Sequence, residues 1–145
     1  MAVTRKALCG FLVFCTLTLS GCVQTTSKLQ PSGEWIPVGE TQEKDIISID
    51  TGKYKKENQT ASVWVRVDYR NPPQPTLNAI QFYGKFDCDR ETYQIQRKIQ
   101  LGLEGETLQD EIIEMESKSA PSDSTEGVVL ERVCFEDKTE NTKGL

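Results

Sequence analysis

Two periods of hydrophobic patterning divide the chain, and the boundary between them falls near residue 120. In "TASVWVRVDYR" (60–70), Val63, Val65, Val67 and Tyr69 alternate with Trp64, Arg66, Asp68 and Arg70. A period of two carried by β-branched and aromatic residues predicts a strand with one buried face. Trp64 lies on the other face, where it either packs beneath the first strand or marks an outward sticky patch. "AIQFYGKFDCD" (79–89) repeats the pattern and sends Ile80, Phe82, Gly84, Phe86 and Cys88 one way. "TYQIQRKIQL" (92–101) does so with Tyr93, Ile95, Ile99 and Leu101, while Arg97 intrudes on that face, snorkelled or ion-paired. The stretch "DRE" (89–91) takes the chain from the last residue of the first run to the start of the second, which predicts a tight antiparallel hairpin. Upstream, "EWIPVG" (34–39) reads as a short edge strand because Pro37 cannot donate to a ladder. "KDIISID" (44–50) is another strand, ended by the Thr51-Gly52 turn. A last strand is expected around Ile112 to Met115, with a short helix as the alternative.

From Ala120 to Lys138 the period becomes helical. Leu130, Val133 and Cys134 share one face with Val129 and Gly127 nearby, and Asp123 followed by Glu126 resembles a capping box. The predicted class is α+β: a single twisted antiparallel sheet of five or six strands with a C-terminal helix on one face.

The N-terminus follows a different logic. Arg5 and Lys6 precede thirteen uncharged residues, Ala7 to Leu19. That is a secretory n-region and h-region, too short for a spanning helix. Leu19-Ser20-Gly21-Cys22 resembles the lipobox of bacterial lipoproteins, which implies cleavage between Gly21 and Cys22 and a diacylglyceryl thioether on Cys22. The expected organisation is a signal peptide at 1–21, a lipidated N-terminus and polar tether at 22–33, a domain at 34–138 and a tail at 139–145. Two or more acyl chains on Cys22, palmitate among the expected lipids, would hold the protein stably, since one chain binds only marginally. By the sorting pattern of lipoproteins, Val23 in place of aspartate implies passage to the outer membrane.

Cysteine usage follows from this. Cys9 and Cys15 leave with the signal and Cys22 takes lipid, so Cys88 and Cys134 remain in an oxidising compartment. A disulfide between them would pin the helix to the sheet. Excluding the signal leaves 15 basic against 22 acidic residues, a net charge of −7. That argues against nucleic acid as a partner.

Enzyme chemistry finds little support. The chain contains no histidine, which removes the Ser-His-Asp and Cys-His schemes. No cofactor or metal is expected. Carboxylates do cluster: Glu104, Glu106, Asp110, Glu111, Glu114 and Glu116 lie within thirteen residues. Glu104 with Glu106, or Asp110 with Glu111, could be a glycosidase pair, but a solvated acidic rim is the simpler reading. "DCDRE" (87–91) lacks the length and glycine of a calcium loop, and "NQT" (58–60) reads as a loop.

In order, Trp35, "IISIDTGKY", "VWVRVDY", "YGKFDCD" and Cys134 resemble the surface-adhesin protein E-like domains of small Gram-negative lipoproteins, over 34 to about 136. The resemblance implies a disulfide-tied sheet and helix, an envelope location, and attachment to host extracellular-matrix or serum proteins. One departure is "NPPQPTLNAIQ" (71–81), which has no basic residue where the adhesive member does, so no ligand-binding residue carries over. The expected function is a lipid-anchored outer-membrane adhesin. The alternative is a periplasm-facing lipoprotein with a structural or assembly role and no host ligand. Strand addition at the first strand would also allow a homodimer.

Overall fold

The computed structural model describes residues 29–136. The expected signal, the lipobox with Gly21 and Cys22, and the tail at 139–145 lie outside the described residues. Eight strands form one antiparallel sheet: β1 (Trp35–Glu40), β2 (Ile46–Asp50), β3 (Lys55–Glu57), β4 (Thr60–Asp68), β5 (Leu77–Asp87), β6 (Thr92–Gly102), β7 (Thr107–Ile112) and β8 (Lys118–Ser119). The order across the sheet is β1-β2-β4-β5-β6-β7, with β3 extending the β4 hairpin and β8 pairing the start of β6. One helix, α1 (Thr125–Phe135), packs against β1, β2 and β4.

The long strands form where the alternation is strongest. Ala61, Val63, Val65 and Val67 of β4 and Phe82 and Phe86 of β5 face α1. They enclose Val129, Leu130, Val133 and Cys134, and burying each such side chain contributes about 1.5–3 kcal/mol. The Cys88–Cys134 disulfide joins the end of β5 to the last turns of the helix, with its Cα atoms 5.4 Å apart. Tyr54 Oη adds a second tie by donating to the Val133 carbonyl at 3.2 Å.

Four expectations change. The helix starts one residue later than the capping box suggested: Ser124 is the cap, and its Oγ accepts from Gly127 N–H at 3.0 Å. The reason is packing. A Cβ on Gly127 would lie 1.9 Å from the Pro121 carbonyl oxygen, so the glycine fixes how the incoming chain meets the first turn. Ser124→Ala should cost about 1 kcal/mol, read from the urea midpoint. The last long strand is 107–112 and not 112–115, because the turn through Gly105 (φ +82°) folds the chain straight back along β6. β3 went unread in the sequence, since its three residues are all exposed and carry no period. It exists because Asn58, at φ 54°, closes a tight turn onto β4.

The fourth change concerns Arg97. Tyr83 pairs with Arg97 but Gly84 pairs with Ile95, so Gln96 is an extra residue in β6. A bulge of this kind breaks the alternation. Tyr93 and Ile95 therefore pack on the helix side, whereas Ile99 and Leu101 join the opposite side together with Arg97. Arg97 does not intrude on the main core.

Candidate functional site

The sheet face away from the helix carries a second, smaller cluster: Trp64, Ala79, Ile99 and Leu101, with Leu29, Trp35 and Tyr83 packed on it. Trp64 is fully buried there, so it makes no outward patch. Its ring lies 5.6 Å from that of Tyr83, its cross-strand partner. Trp35 at the start of β1 shares the cluster, so of the two readings of Trp64 the packed one holds.

Across this face runs the segment from Leu29 to Glu34, which takes in the last residues (29–33) of the stretch expected as a polar tether. Two buried charges fasten it. The Asp50 carboxylate, 0% exposed, accepts from the backbone N–H and the hydroxyl of Ser32, from Gly33 N–H at 3.3 Å and from Gly52 N–H at 3.0 Å. Arg97, 4% exposed, donates from Nη1 to the Leu29 carbonyl at 2.9 Å. A buried carboxylate and guanidinium are tolerated only with such partners. Residues 29–33 thus belong to the folded unit.

Arg97 is held in turn by Asp110 of β7. Nε donates to one carboxylate oxygen at 2.8 Å and Nη2 to the other at 2.6 Å, the two-pronged geometry suited to guanidinium. These hydrogen bonds, with the opposite charge, hold the Asp110 carboxyl below its ordinary value and the Arg97 guanidinium above its own. On the other side of the sheet, Tyr69 is raised by burial and by the nearby Asp45 carboxylate.

The carboxylate pairs do not form. Asp110 is committed to Arg97, and Glu111 follows it in an extended strand, so the two point to opposite faces. Glu106 accepts from the backbone N–H of Glu104 within the turn, and both residues are exposed. Asp87 of "DCDRE" accepts from the N–H groups of Asp89 and Arg90, as a hairpin turn requires. Asn58 of the "NQT" triplet sits in the β3–β4 turn.

The surface left open to partners lies mainly at the sheet edge. All six residues of β7 are exposed, and among the described residues β7 pairs only with β6. Leu103 at 65% and Ile112 at 63% are the most exposed large apolar side chains of the domain. Beside β7, a shallow cavity of about 300 Å³ is lined by Leu29, Ile95, Ile112, Ile113 and Met115 among others. Next to it, with Gln94 in both linings, a more polar depression of about 210 Å³ includes Lys85, Arg90 and Thr92. Sequence patterning did not single out the edge, because β7 has neither a buried face nor an alternating period.

The sequence from 35 to 135, from the first residue of β1 to the last of α1, matches the surface-adhesin protein E family. The chain belongs to that family. Membership makes it an adhesin-like surface protein of bacteria and agrees with the expectation from the ordered segments around Trp35, Cys88 and Cys134. Among solved structures the chain is similar to crystal form II of Haemophilus influenzae protein E, at 13% identity and a TM-score of 0.48, over 72% of this chain and 90% of that one. No curated protein matches the sequence. Within the family frame, the sheet, the helix and the disulfide make up the adhesin E domain, and the fastened segment 29–34 leads into it.

Proposed function

We propose that this protein is a lipid-anchored binding module of the outer membrane, displayed as an adhesin toward host extracellular-matrix or serum proteins. The observation that carries this reading is the family match across 35–135, which takes in the whole set of strands and the helix. The N-terminal sequence supports the anchor: a charged start, an apolar run of signal length, and Leu19-Ser20-Gly21-Cys22. Val23 supports the outer membrane as the destination. The absence of histidine from the sequence supports binding over catalysis.

Geometry adds a constraint on display. Leu29 is fastened to the sheet through Arg97, and it follows Cys22 by seven positions, with six residues between them. Fully extended, that length reaches about 25 Å at most. A lipid on Cys22 would hold the domain close to the headgroups with little freedom to lift away. In growing cells, labelled palmitate should enter the wild-type protein, and Cys22→Ala should abolish labelling and shift the protein to the soluble fraction. Wild-type protein that takes up no palmitate and fractionates as soluble would overturn the anchor.

A further inference from the structure

We infer that the β7 edge is a docking strand for an extended polypeptide segment in which basic and apolar residues alternate. The inference deepens the adhesin reading by naming one surface and the chemistry of its partner. The first observation is the backbone: among the described residues only β6 pairs with β7, so one side of Thr107–Ile112 presents unpaired N–H and C=O groups. Such an edge is a template for another strand unless it is blocked.

The two outer edges of the sheet are treated differently. β1 contains Pro37 and an irregular register between Pro37 and Gly39, and α1 packs against it. β7 contains neither proline nor lysine, the two residue types that most often blunt an edge. Its one irregularity lies at Leu108, near its start, and leaves Gln109–Ile112 in regular register with β6.

Side chains then select the occupant. Asp110 is neutralised by Arg97, but Glu111 on the strand and Glu104, Glu106, Glu114 and Glu116 beside it are all exposed. Two copies meeting edge to edge would set these carboxylates against one another, which disfavours self-pairing. A segment carrying Lys or Arg at alternate positions would answer them. Its apolar residues would cover Ile112 and reach toward Met115 and Ile113 in the adjoining cavity. An anionic membrane surface would be repelled by the same charges.

The test uses full-length protein purified in detergent and three synthetic probes: a nine-residue Lys/Val alternating peptide, the same peptide with two central prolines, and a Glu/Val version. Binding is followed by fluorescence anisotropy and by amide hydrogen exchange. The Lys/Val peptide should bind and slow exchange at 107–112 several-fold. The proline and Glu/Val peptides should bind at least tenfold more weakly, as should the Lys/Val peptide to protein carrying Glu111→Lys and Ile112→Lys. Because both substituted side chains are exposed, the variant should fold; unchanged exchange in β4 and β5 checks this. If it misfolds, Glu114→Lys with Glu116→Lys, outside the strand, should give the same direction of effect. Equal binding of the proline peptide, or binding without protection of β7, would overturn the inference. So would the absence of binding at millimolar peptide, or sedimentation showing copies joined through β7. None of these outcomes bears on palmitate labelling, so failure here is distinct from failure of the anchor.

Discussion

Replacing Cys88 and Cys134 together by alanine should lower the stability of the domain by about 4 kcal/mol in the chain-entropy account, and reduction of the wild type should move it the same way. The bridge spans 46 residues from the end of β5 to α1, so its loss frees a long loop in the unfolded chain. Domains of this size are stable by only about 5–15 kcal/mol, so the change would be a large share of the total. The fold should nevertheless persist at low temperature. Val129, Leu130 and Val133 remain buried against β1, β2 and β4, and the Tyr54 hydroxyl still holds the Val133 carbonyl. Urea midpoints with and without reductant measure the loss. Hydrogen exchange should show α1 opening more readily than β4. An unchanged midpoint would mean that packing alone fixes the helix.

Arg97→Met should produce the second-largest effect, about 2 kcal/mol. Breaking a buried pair commonly costs about 3–5 kcal/mol. The value here is smaller because Asp110 keeps 38% side-chain exposure, and water screens what Arg97 leaves behind. The variant also loses the hydrogen bond to Leu29, so segment 29–34 should become more sensitive to limited proteolysis. The pH dependence follows from the direction of the Asp110 shift. Arg97 depresses that carboxyl in the folded state, so its contribution is present above the unfolded value near 4 and is lost as pH falls through the lower folded value. The stability gap between wild type and Arg97→Met should therefore narrow on acidification below about pH 4. A gap constant from pH 7 to the acid limit would show that Asp110 is not the group coupled to Arg97.

Period two alone was enough to place β4, β5 and most of β6, because their apolar residues alternate over nine to eleven residues, although those of β6 divide between the two faces of the sheet. The helix was equally legible from Leu130, Val133 and Cys134. The pattern failed where tertiary geometry overrides local order. A bulge at Gln96 turns Arg97 away from Ile95, and nothing in "YQIQRKIQL" marks the extra residue. β3 and β7 bury no face, so they have no period to read. The fastening of Ser32 by Asp50 joins residues eighteen apart through a carboxylate that, in sequence, ends an ordinary strand. The docking edge was hidden for the same reason: its acids read as a solvated rim, and only the sheet order shows that, among the described residues, β7 has no outer neighbour.

Protease shaving of intact cells tests the central reading most directly, with detection of the mature chain and of a periplasmic control. An outward-facing adhesin predicts that the domain is cut while the control survives. A chain that stays whole until the outer membrane is opened would contradict surface display and point instead to a role inside the envelope.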